Sequence, residues 1–418
     1  MAHGVAPAAA APPAFDVARV RSDFPILSTT VRGKPLVYLD NAATGQKPRA
    51  VIDAVTRFYR EENASVHRGV YHLSEQATDR YEATRGRVAR YIGAADPREV
   101  VFVRGTTEAI NLVASSWGRA NLKRGDEVLV TAMEHHSNLV PWQMVCEATG
   151  AQLRVIPMDR DGALLLEEAE QLCTDRTRLV AVVHVSNSLG TVNPVQELVA
   201  LARAKGALVL VDGAQALPHG PVDVASLGCD FYAGSGHKMF GPTGIGFLWG
   251  RRQLLDSMPP YQGGGSMIRK VTFPRTTFAD APARFEAGTP HIEGVIGLGA
   301  AVDYLQSLPW DSVRQHEARL LEYATECLRE VAGVTVYGTA PQKASVLSFT
   351  LDGVHAHDVG TIADQDGICV RAGHHCTQPV MDFFGIAATV RASFAFYNTR
   401  EEADALARAV AQARRIFG

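Results

Sequence analysis

Short apolar runs alternate with amphipathic helical patterns between about residue 100 and residue 250. The runs that predict strands span residues 100–103, 127–131, 153–157, 179–185, 208–212, 230–233 and 245–249. Apolar residues keep helical spacing between some of these runs, at Ala109, Leu112, Val113 and Trp117 and again at Val195, Leu198, Val199 and Ala202. This alternation predicts an α/β fold in which crossover helices cover a mostly parallel sheet.

The pattern changes after about residue 300. A helical pattern covers residues 311–331, and strands are predicted at 345–351, 368–371 and 390–397. Thr399 and Glu402 then form a capping box ahead of a last helix. A chain of 418 residues exceeds the roughly 250 to 300 at which one core stops growing, so a second, smaller C-terminal α/β domain is expected.

These patterns divide the chain into four segments. We predict a disordered tail over residues 1–14, a segment packing near the small domain over 15–34, a large domain over 35–300 and a small domain over 301–418. The tail lacks the basic start of a secretory signal. No apolar run approaches the roughly 18 residues of a membrane span, so we expect a cytosolic protein.

Composition narrows the class of partner and of site. Apolar residues make up 46% of the chain, and the net charge of −3 (41 − 44) comes without blocks of like charge, which favours small-molecule chemistry over nucleic acid or membrane surfaces. The 6 cysteines include no Cys-x-x-Cys pair, which argues against a disulfide framework or a four-thiolate zinc site. Cys376 lies in a polar loop and is the candidate reactive thiol, whereas most of the others are expected to be buried.

Asp212 and Lys238 give the strongest chemical signal. Each follows or ends a predicted strand, so both should lie at the carboxyl edge of the sheet, where α/β proteins bind ligands. Pyridoxal phosphate needs a lysine amine for its Schiff base and a carboxylate that keeps its pyridine nitrogen protonated. Taken alone, Asp212 could cap a helix and Lys238 could be a surface lysine. Together they predict a pyridoxal-phosphate site, with Gln215 able to reach the ring hydroxyl.

A phosphate site is predicted where a strand runs into a helix. Gly105 lets the backbone turn closely, the first N–H groups of the helix point at the anion, and Thr106 and Thr107 add hydroxyl donors. Threonines at this position are also ordinary helix caps. Ser235 and His237, beside the lysine, are further candidate donors to the phosphate.

Two adjacent histidines, His135 and His136, follow another predicted strand at the same edge. An imidazole there could lie flat against a pyridine ring and pass protons, and we assign that role to His136. A pair of loop histidines without function is one alternative. A zinc site is another, although the sequence shows no third ligand.

Several runs, taken in order, resemble those of cysteine desulfurases of the SufS type, which belong to the class V aminotransferase group of pyridoxal-phosphate enzymes. The runs are residues 38–43 (YLDNAA), 66–69 (VHRG), 104–111 (RGTTEAIN), 133–136 (MEHH), 184–187 (HVSN), 211–215 (VDGAQ), 235–238 (SGHK), 263–267 (GGGSM), 285–290 (FEAGTP) and 371–376 (RAGHHC). The resemblance extends over residues 15–418. It implies the aspartate-aminotransferase-like fold, pyridoxal-phosphate fold type I.

The resemblance also implies a role for each matching residue. Lys238 would carry the cofactor, Asp212 and Gln215 would hold its ring, and His136 would stack on it. The implied phosphate contacts are Thr106, Thr107, Ser235, His237 and, from the second subunit of a homodimer, Thr289. The implied substrate contacts are Arg391 and Asn187, which would clamp the carboxylate, together with Arg371 and His67.

The implied activity removes sulfur from L-cysteine. Lys238 would take the Cα proton and the Cys376 thiolate would attack the substrate sulfur, leaving L-alanine and a persulfide on the enzyme. Arg371, His374 and His375 are candidate neighbours of that thiolate. The alternatives are a selenocysteine lyase, another pyridoxal-phosphate transaminase or lyase in which Cys376 is incidental, and a non-enzymatic sulfur-trafficking scaffold.

A persulfide must be handed on, so the resemblance implies an acceptor protein for iron–sulfur cluster assembly. Two kinds are known, a small cysteine acceptor (SufE-like) and a zinc-containing acceptor (SufU-like). His357, within residues 353–359, matches a histidine that can take over a zinc ligand position in the second kind. The alternative is a histidine that caps a helix start.

Overall fold

The structure, a computed structural model, describes residues 15–417. The predicted tail, residues 1–14, lies outside the described residues. The helices are α1 (Val17–Ser22), α2 (Arg49–Arg57), α3 (His72–Tyr91), α4 (Thr106–Val113), α5 (Arg119–Asn121), α6 (Val140–Thr149), α7 (Leu166–Leu172), α8 (Val195–Ala204), α9 (Val224–Leu227), α10 (Arg252–Ser257), α11 (Ile292–Gln306), α12 (Trp310–Arg329), α13 (Ala356–Gln365), α14 (Gln378–Phe384) and α15 (Arg400–Phe417).

The strands fall into one large sheet, one smaller sheet and several two-stranded pairs. They are β1 (Thr30–Val31), β2 (Lys34–Pro35), β3 (Val37–Tyr38), β4 (Val100–Val103), β5 (Glu127–Thr131), β6 (Gln152–Ile156), β7 (Thr177–Val183), β8 (Leu208–Asp212), β9 (Phe231–Ser235), β10 (Gly246–Gly250), β11 (Ile268–Val271), β12 (Thr276–Phe278), β13 (Val334–Tyr337), β14 (Val346–Leu351), β15 (Ile368–Cys369), β16 (Arg371–Gly373) and β17 (Thr389–Ser393).

Seven strands form the large sheet within the described residues, in the order β4-β10-β9-β8-β7-β5-β6. The pairs from β6 through β5, β7 and β8 to β9 are parallel, and β10 runs antiparallel to β4 and β9. This confirms the predicted α/β class with a mostly parallel sheet. The parallel strands share one carboxyl edge, at which Asp212 ends β8.

Both faces of this sheet are covered, which explains why its strands read as continuous apolar runs rather than as alternating ones. Leu179 and Ala181 of β7 point into one core cluster, and Val180 and Val182 point into another. The helices therefore pack on two sides and leave the strand ends as the accessible part of the sheet.

The smaller sheet has the antiparallel order β13-β14-β17-β16 and packs against α12, α13 and α15. The Glu402 half of the predicted capping box forms, because the Thr399 N–H donates to Glu402 Oε2 at 3.0 Å. The single strand predicted at 368–371 is wrong: Ile368–Cys369 pairs with β3, whereas Arg371–Gly373 pairs with β17. The strand predicted at 390–397 ends early, at Ser393, and sequence patterning missed β13 altogether.

Contacts of the N-terminal segment reach both lobes. Arg21 Nη2 forms an ion pair with Glu402 Oε1 at 2.8 Å, whereas Phe24 packs against Phe240 with ring centroids 6.0 Å apart. Residues 37–38, which we had assigned to the large domain, pair with β15. The boundaries at residues 34/35 and 300/301 therefore stay predictions. No helix in the described part of the chain is long and apolar enough to cross a membrane.

Candidate active site

A cavity of about 210 Å³ lies at the carboxyl edge of the large sheet. The ends of β7, β8 and β9 and the start of α4 contribute to it, as do β16 and β17 of the smaller sheet. The lining residues are Ala42, Ala43, Thr106, Thr107, His135, Ser137, Val183, Asn187, Asp212, Ala214, Gln215, Ser235, His237, Lys238, Arg371, His375, Cys376 and Arg391. The cavity therefore lies where the two sheets meet.

Most of the residues singled out from the sequence meet at this cavity. Those that line it are Thr106, Thr107, Asn187, Asp212, Gln215, Ser235, His237, Lys238, Arg371, His375, Cys376 and Arg391. His136, His67 and Thr289 are not among its lining residues. Lys238 and Cys376 share one cavity although the sequence separates them widely, which is the arrangement that the sulfur-transfer hypothesis requires.

Burial shifts the pKa values of Asp212 and Lys238 in opposite directions. Burial raises the pKa of the Asp212 carboxyl, and the Lys238 charge and a 2.9 Å hydrogen bond from the Ala214 N–H oppose that rise. Burial lowers the pKa of Lys238 to about 8, against the attraction of Asp212. Lys238 is thus a readier source of free amine than an ordinary lysine. Among the described residues Asp212 forms no ion pair, so a cationic ring nitrogen would relieve its desolvation.

The predicted phosphate end is built from β9 and the start of α4. The Thr106 N–H donates to Ser235 Oγ at 2.9 Å, and that hydroxyl donates to Thr106 Oγ1 at 2.8 Å. A Cβ at Gly105 would lie 3.2 Å from Ser235 Oγ, so glycine permits the close approach. Burial, followed by the charge of Lys238, lowers the pKa of His237 to about 4. This cradle of N–H and O–H donors suits an anion.

The structure places His135 rather than the predicted His136 on the cavity. His135 Nδ1 accepts from the Ser137 N–H at 3.1 Å, so the neutral ring carries its proton on Nε2. Burial, with help from the Lys238 charge, lowers the pKa of His135 to about 3 and keeps the ring neutral. His136 is not among the lining residues, and its Nε2 accepts from the Gln378 N–H at 3.2 Å. The structure therefore favours His135 over the predicted His136 for a role in this cavity.

Arg391 is held by two partners and keeps an unmet donor. Its Nη1 donates to the Asn187 carbonyl at 2.9 Å, and its Nη2 pairs with Asp40 Oδ1 at 3.0 Å. Among the described residues, the buried Arg391 Nε and Asn187 Oδ1 have no hydrogen-bond partner. A buried polar atom left unmet costs about 1–3 kcal/mol, which a bound ligand with polar groups would recover.

The Cys376 loop is fixed from two sides while its thiol stays exposed. His375 and Cys376 have positive φ angles of 53° and 58°, which non-glycine residues rarely adopt. The Cys376 carbonyl accepts from the His136 N–H at 2.8 Å, and the His375 carbonyl accepts from Asn187 Nδ2 at 2.6 Å. Cys376 is classed among the exposed side chains. The backbone is thus anchored, and the side chain faces both the cavity and its opening.

The sequence offers His375 as a cationic or a hydrogen-bonding neighbour of Cys376, and its buried position disfavours the cationic option. It is buried, its Nε2 lies 2.8 Å from Thr389 Oγ1, and burial lowers its pKa to about 3. The ring is therefore neutral near pH 7. Of the other two residues in that group, Arg371 lines the same cavity and His374 is not among its lining residues. No group of three histidine, cysteine, aspartate or glutamate side chains within residues 15–417 is arranged to hold a metal ion.

Sequence reasoning missed two further residues of the site. The sequence predicts the stacking role for His136 rather than for its neighbour His135. Only the geometry of the turn after β5 decides which of the two rings lines the cavity. Asp40 lies in the quoted run 38–43, but its pairing with Arg391 joins positions too far apart in sequence for spacing to reveal. The sequence signal that could have revealed Asp40 was a carboxylate next to an apolar strand.

His67 and Thr289 share a different cavity, of about 620 Å³. His67 Nε2 lies 2.9 Å from Glu82 Oε1 there. Val70 is 96% exposed and Tyr71 is 52% exposed. These two predicted site residues therefore lie on a second surface of the same chain, beside apolar side chains that water surrounds.

Known proteins resemble the chain over almost all of its length. A family described as "Aminotransferase class-V" matches residues 37–406. A cysteine desulfurase of Salmonella agona (strain SL483) is 54% identical, over 97% of this chain and 100% of that protein. The crystal structure of the cysteine desulfurase CsdA from Escherichia coli is 40% identical with a TM-score of 0.90, over 97% of this chain and 100% of that one. The apo cysteine desulfurase from Thermococcus onnurineus NA1 is 41% identical with a TM-score of 0.90, over 94% and 97%.

Proposed function

The chain belongs to the aminotransferase class-V family and is a pyridoxal-phosphate-dependent cysteine desulfurase, and we propose that it moves sulfur from L-cysteine onto the thiol of Cys376. Its fold is that of pyridoxal-phosphate fold type I. The observation that carries the proposal is the shared cavity of Lys238, Arg391 and Cys376. The SufS subtype and the cytosolic location stay predictions.

The residues present fit the cofactor. The buried Asp212 without an ion pair suits a protonated pyridine nitrogen, and the Thr106–Ser235 cradle suits a phosphate. We propose that Lys238 binds the aldehyde, that Gln215 holds the ring, and that the neutral ring of His135 stacks on it. When bound, pyridoxal phosphate draws electrons from the substrate and so weakens the bonds at its Cα and Cβ.

Substrate positioning falls to Arg391 and Asn187. The buried guanidinium is an electrostatic match for the carboxylate of an amino acid, and planar N–H donors orient a carboxylate better than an ammonium does. Asp40 Oδ1 pairs with Nη2 of this guanidinium at 3.0 Å. This clamp would present the substrate sulfur toward the cavity wall that carries Cys376.

Lys238 and Cys376 carry out the sulfur transfer. The Lys238 amine, with its pKa lowered to about 8, accepts the Cα proton. The Cys376 thiolate then attacks the substrate sulfur, a sulfur–sulfur bond forms, and the sulfur–Cβ bond breaks. The electron pair of that bond stays with the three-carbon fragment, which takes up protons and leaves as L-alanine. Cys376 retains the persulfide.

Product analysis tests this activity. Purified protein with pyridoxal phosphate should convert L-cysteine to L-alanine and, in the presence of a thiol reductant, to an equal amount of sulfide. A transaminase would instead produce a 2-oxo acid. Accumulation of a 2-oxo acid without sulfide would contradict the proposal.

Two copies of the chain are proposed to complete each site. Thr289 and His67 do not line the Lys238 cavity of their own chain, and the exposed Val70 and Tyr71, which follow His67 in the sequence, favour burial against a second copy. We therefore propose a homodimer in which both residues reach the partner's cavity. The partner copy would add a hydroxyl to the phosphate cradle and an imidazole to the substrate side.

Subunit mixing tests this arrangement. Protein made by mixing Lys238→Ala and Thr289→Ala subunits should regain up to about a quarter of wild-type activity, because half of the dimers contain one intact site. Each variant alone should remain poorly active. If mixing restores nothing although mixed dimers form, Thr289 does not act across the interface.

We propose that the sulfur acceptor is a protein of iron–sulfur cluster assembly and that it docks near His357. His355, not His357, caps α13, because its Nδ1 accepts from the His357 N–H at 3.2 Å. The capping alternative therefore does not account for His357, whose side chain is exposed. An exposed imidazole can serve as a zinc ligand, which supports an acceptor of the zinc-containing, SufU-like kind over a SufE-like one.

We expect His357→Ala to reduce stimulation by a zinc-containing acceptor by about tenfold or more, because loss of a metal-directed contact typically costs about that much. Basal turnover without acceptor should stay unchanged. The measurement is the rate of alanine formation against acceptor concentration, with His355→Ala as a neighbouring control. Equal stimulation of wild type and His357→Ala would remove the proposed role.

A further inference from the structure

Lys47 is a half-buried lysine that lies next to the catalytic turn but is not used by the mechanism above. Its Nζ donates to the Gly45 carbonyl at 2.6 Å and to the His237 carbonyl at 2.9 Å. Burial lowers the pKa of Lys47 to about 8. Within residues 15–417 it forms no ion pair. The ammonium therefore donates to two backbone carbonyls, one of which belongs to His237, the residue before Lys238.

The His237 carbonyl has three donors, all from one short segment. The Gly45 N–H donates to it at 3.1 Å, Thr44 Oγ1 at 3.2 Å and Lys47 Nζ at 2.9 Å. The Lys47 contact is the shortest and the only charged one of the three, and charge-assisted hydrogen bonds are about twice as strong as neutral ones. The peptide that leads into Lys238 is thus fixed in direction from outside its own turn.

We propose that Lys47 is a positioning residue for Lys238: by holding the His237 carbonyl, it sets the direction in which the catalytic side chain leaves the backbone. The inference rests on the proposed use of Lys238 as cofactor-binding amine and base. Proton transfer and covalent bonding demand tight placement, and a misplacement of about 1 Å can cost about a hundredfold in rate.

The structure contains a matched control for a purely structural role. Lys343 is also half-buried, burial lowers its pKa to about 8, and its Nζ donates to the carbonyls of Leu189, at 2.7 Å, and Gly338. It does not line the catalytic cavity. Replacing either lysine with methionine removes the same ammonium from a similar environment, so the two variants should lose similar stability.

The experiment compares wild type, Lys47→Met and Lys343→Met as full-length holoproteins. We measure thermal unfolding, kcat and KM for L-cysteine, and hydrogen–deuterium exchange of the peptide that carries Lys238. Only Lys47→Met should lower kcat, by about tenfold or more with KM within about twofold, and only it should speed exchange at Lys238 and Met239. Thr44→Val, which removes a weaker bond to the same carbonyl, should shift both readouts less in the same direction.

Equal kcat and equal exchange in Lys47→Met and Lys343→Met would overturn the proposal. If Lys47→Met does not fold, the same two readouts are compared between Thr44→Val and Lys343→Met. Equal kcat and equal exchange in these two variants would then overturn the proposal. The exchange measurement does not depend on turnover. If L-cysteine is not desulfurated at all, the proposed function fails on the kinetic readout, while the exchange readout still shows whether Lys47 holds the Lys238 turn.

Discussion

Replacing Cys376 with serine should abolish sulfur transfer from L-cysteine, with activity falling by at least about a thousandfold. A hydroxyl is a far weaker nucleophile toward sulfur than a thiolate, and no other cysteine lines the cavity. The visible absorbance of the bound cofactor should persist, because Cys376 is not among the residues that fit the cofactor. The measurements are alanine formation and the absorption spectrum of the purified variant.

Cys327→Ser is the matched control, because Cys327 is half-buried and lies outside the cavity. It should retain wild-type activity within about twofold. Selenocysteine turnover should survive Cys376→Ser in part, because selenium leaves more readily than sulfur. Undiminished alanine and sulfide output from Cys376→Ser would show that another pyridoxal-phosphate activity, in which this thiol is incidental, occupies the site.

Replacing Lys238 with alanine should remove activity by at least about a thousandfold and also change the cofactor spectrum. The variant loses the amine that binds the aldehyde and the base that takes the Cα proton, so two functions disappear together. Loss of both activity and the visible band distinguishes this variant from Cys376→Ser, which should lose activity alone.

Lys205→Ala serves as the control for Lys238→Ala, because Lys205 is an exposed lysine whose Nζ lies 3.4 Å from Asp175. Exposed ion pairs contribute roughly 0–1 kcal/mol, so this change should leave activity intact. A Lys238→Ala protein with the wild-type spectrum and substantial turnover is incompatible with the assigned role.

The large sheet could be predicted from the sequence because its strands are buried on both faces. Continuous apolar runs such as 127–131 and 208–212 mark such strands, and their observed bounds, Glu127–Thr131 and Leu208–Asp212, are those predicted. The smaller sheet was harder to predict. Residues 368–371 form two short strands that pair with different partners, and local patterning carries no information about a change of partner.

The site could be predicted where its residues lie in contiguous runs at strand ends. Asp212 and Lys238 belong to this group, because a strand end fixes both position and edge. The choice between His135 and His136 depended on the turn after β5, which puts one ring in the cavity and the other against Gln378. Local spacing cannot decide the outcome of such a turn.

Contacts between residues far apart in the sequence could not be predicted, for a different reason. The ion pair of Asp40 with Arg391 and the hold of Lys47 on the His237 carbonyl exist only after the chain has folded. The neutral state of His375 likewise follows from burial. Residue type alone allows either a cationic or a hydrogen-bonding histidine at that position, and desolvation disfavours the cation.

The most direct test of the account is mass spectrometry of the peptide that carries Cys376. The protein is exposed to L-cysteine without reductant or acceptor, trapped with an alkylating reagent and digested. The account predicts one added sulfur atom on this peptide and none on the peptide that carries Cys327. Turnover of L-cysteine to L-alanine with no sulfur added at Cys376 would contradict it.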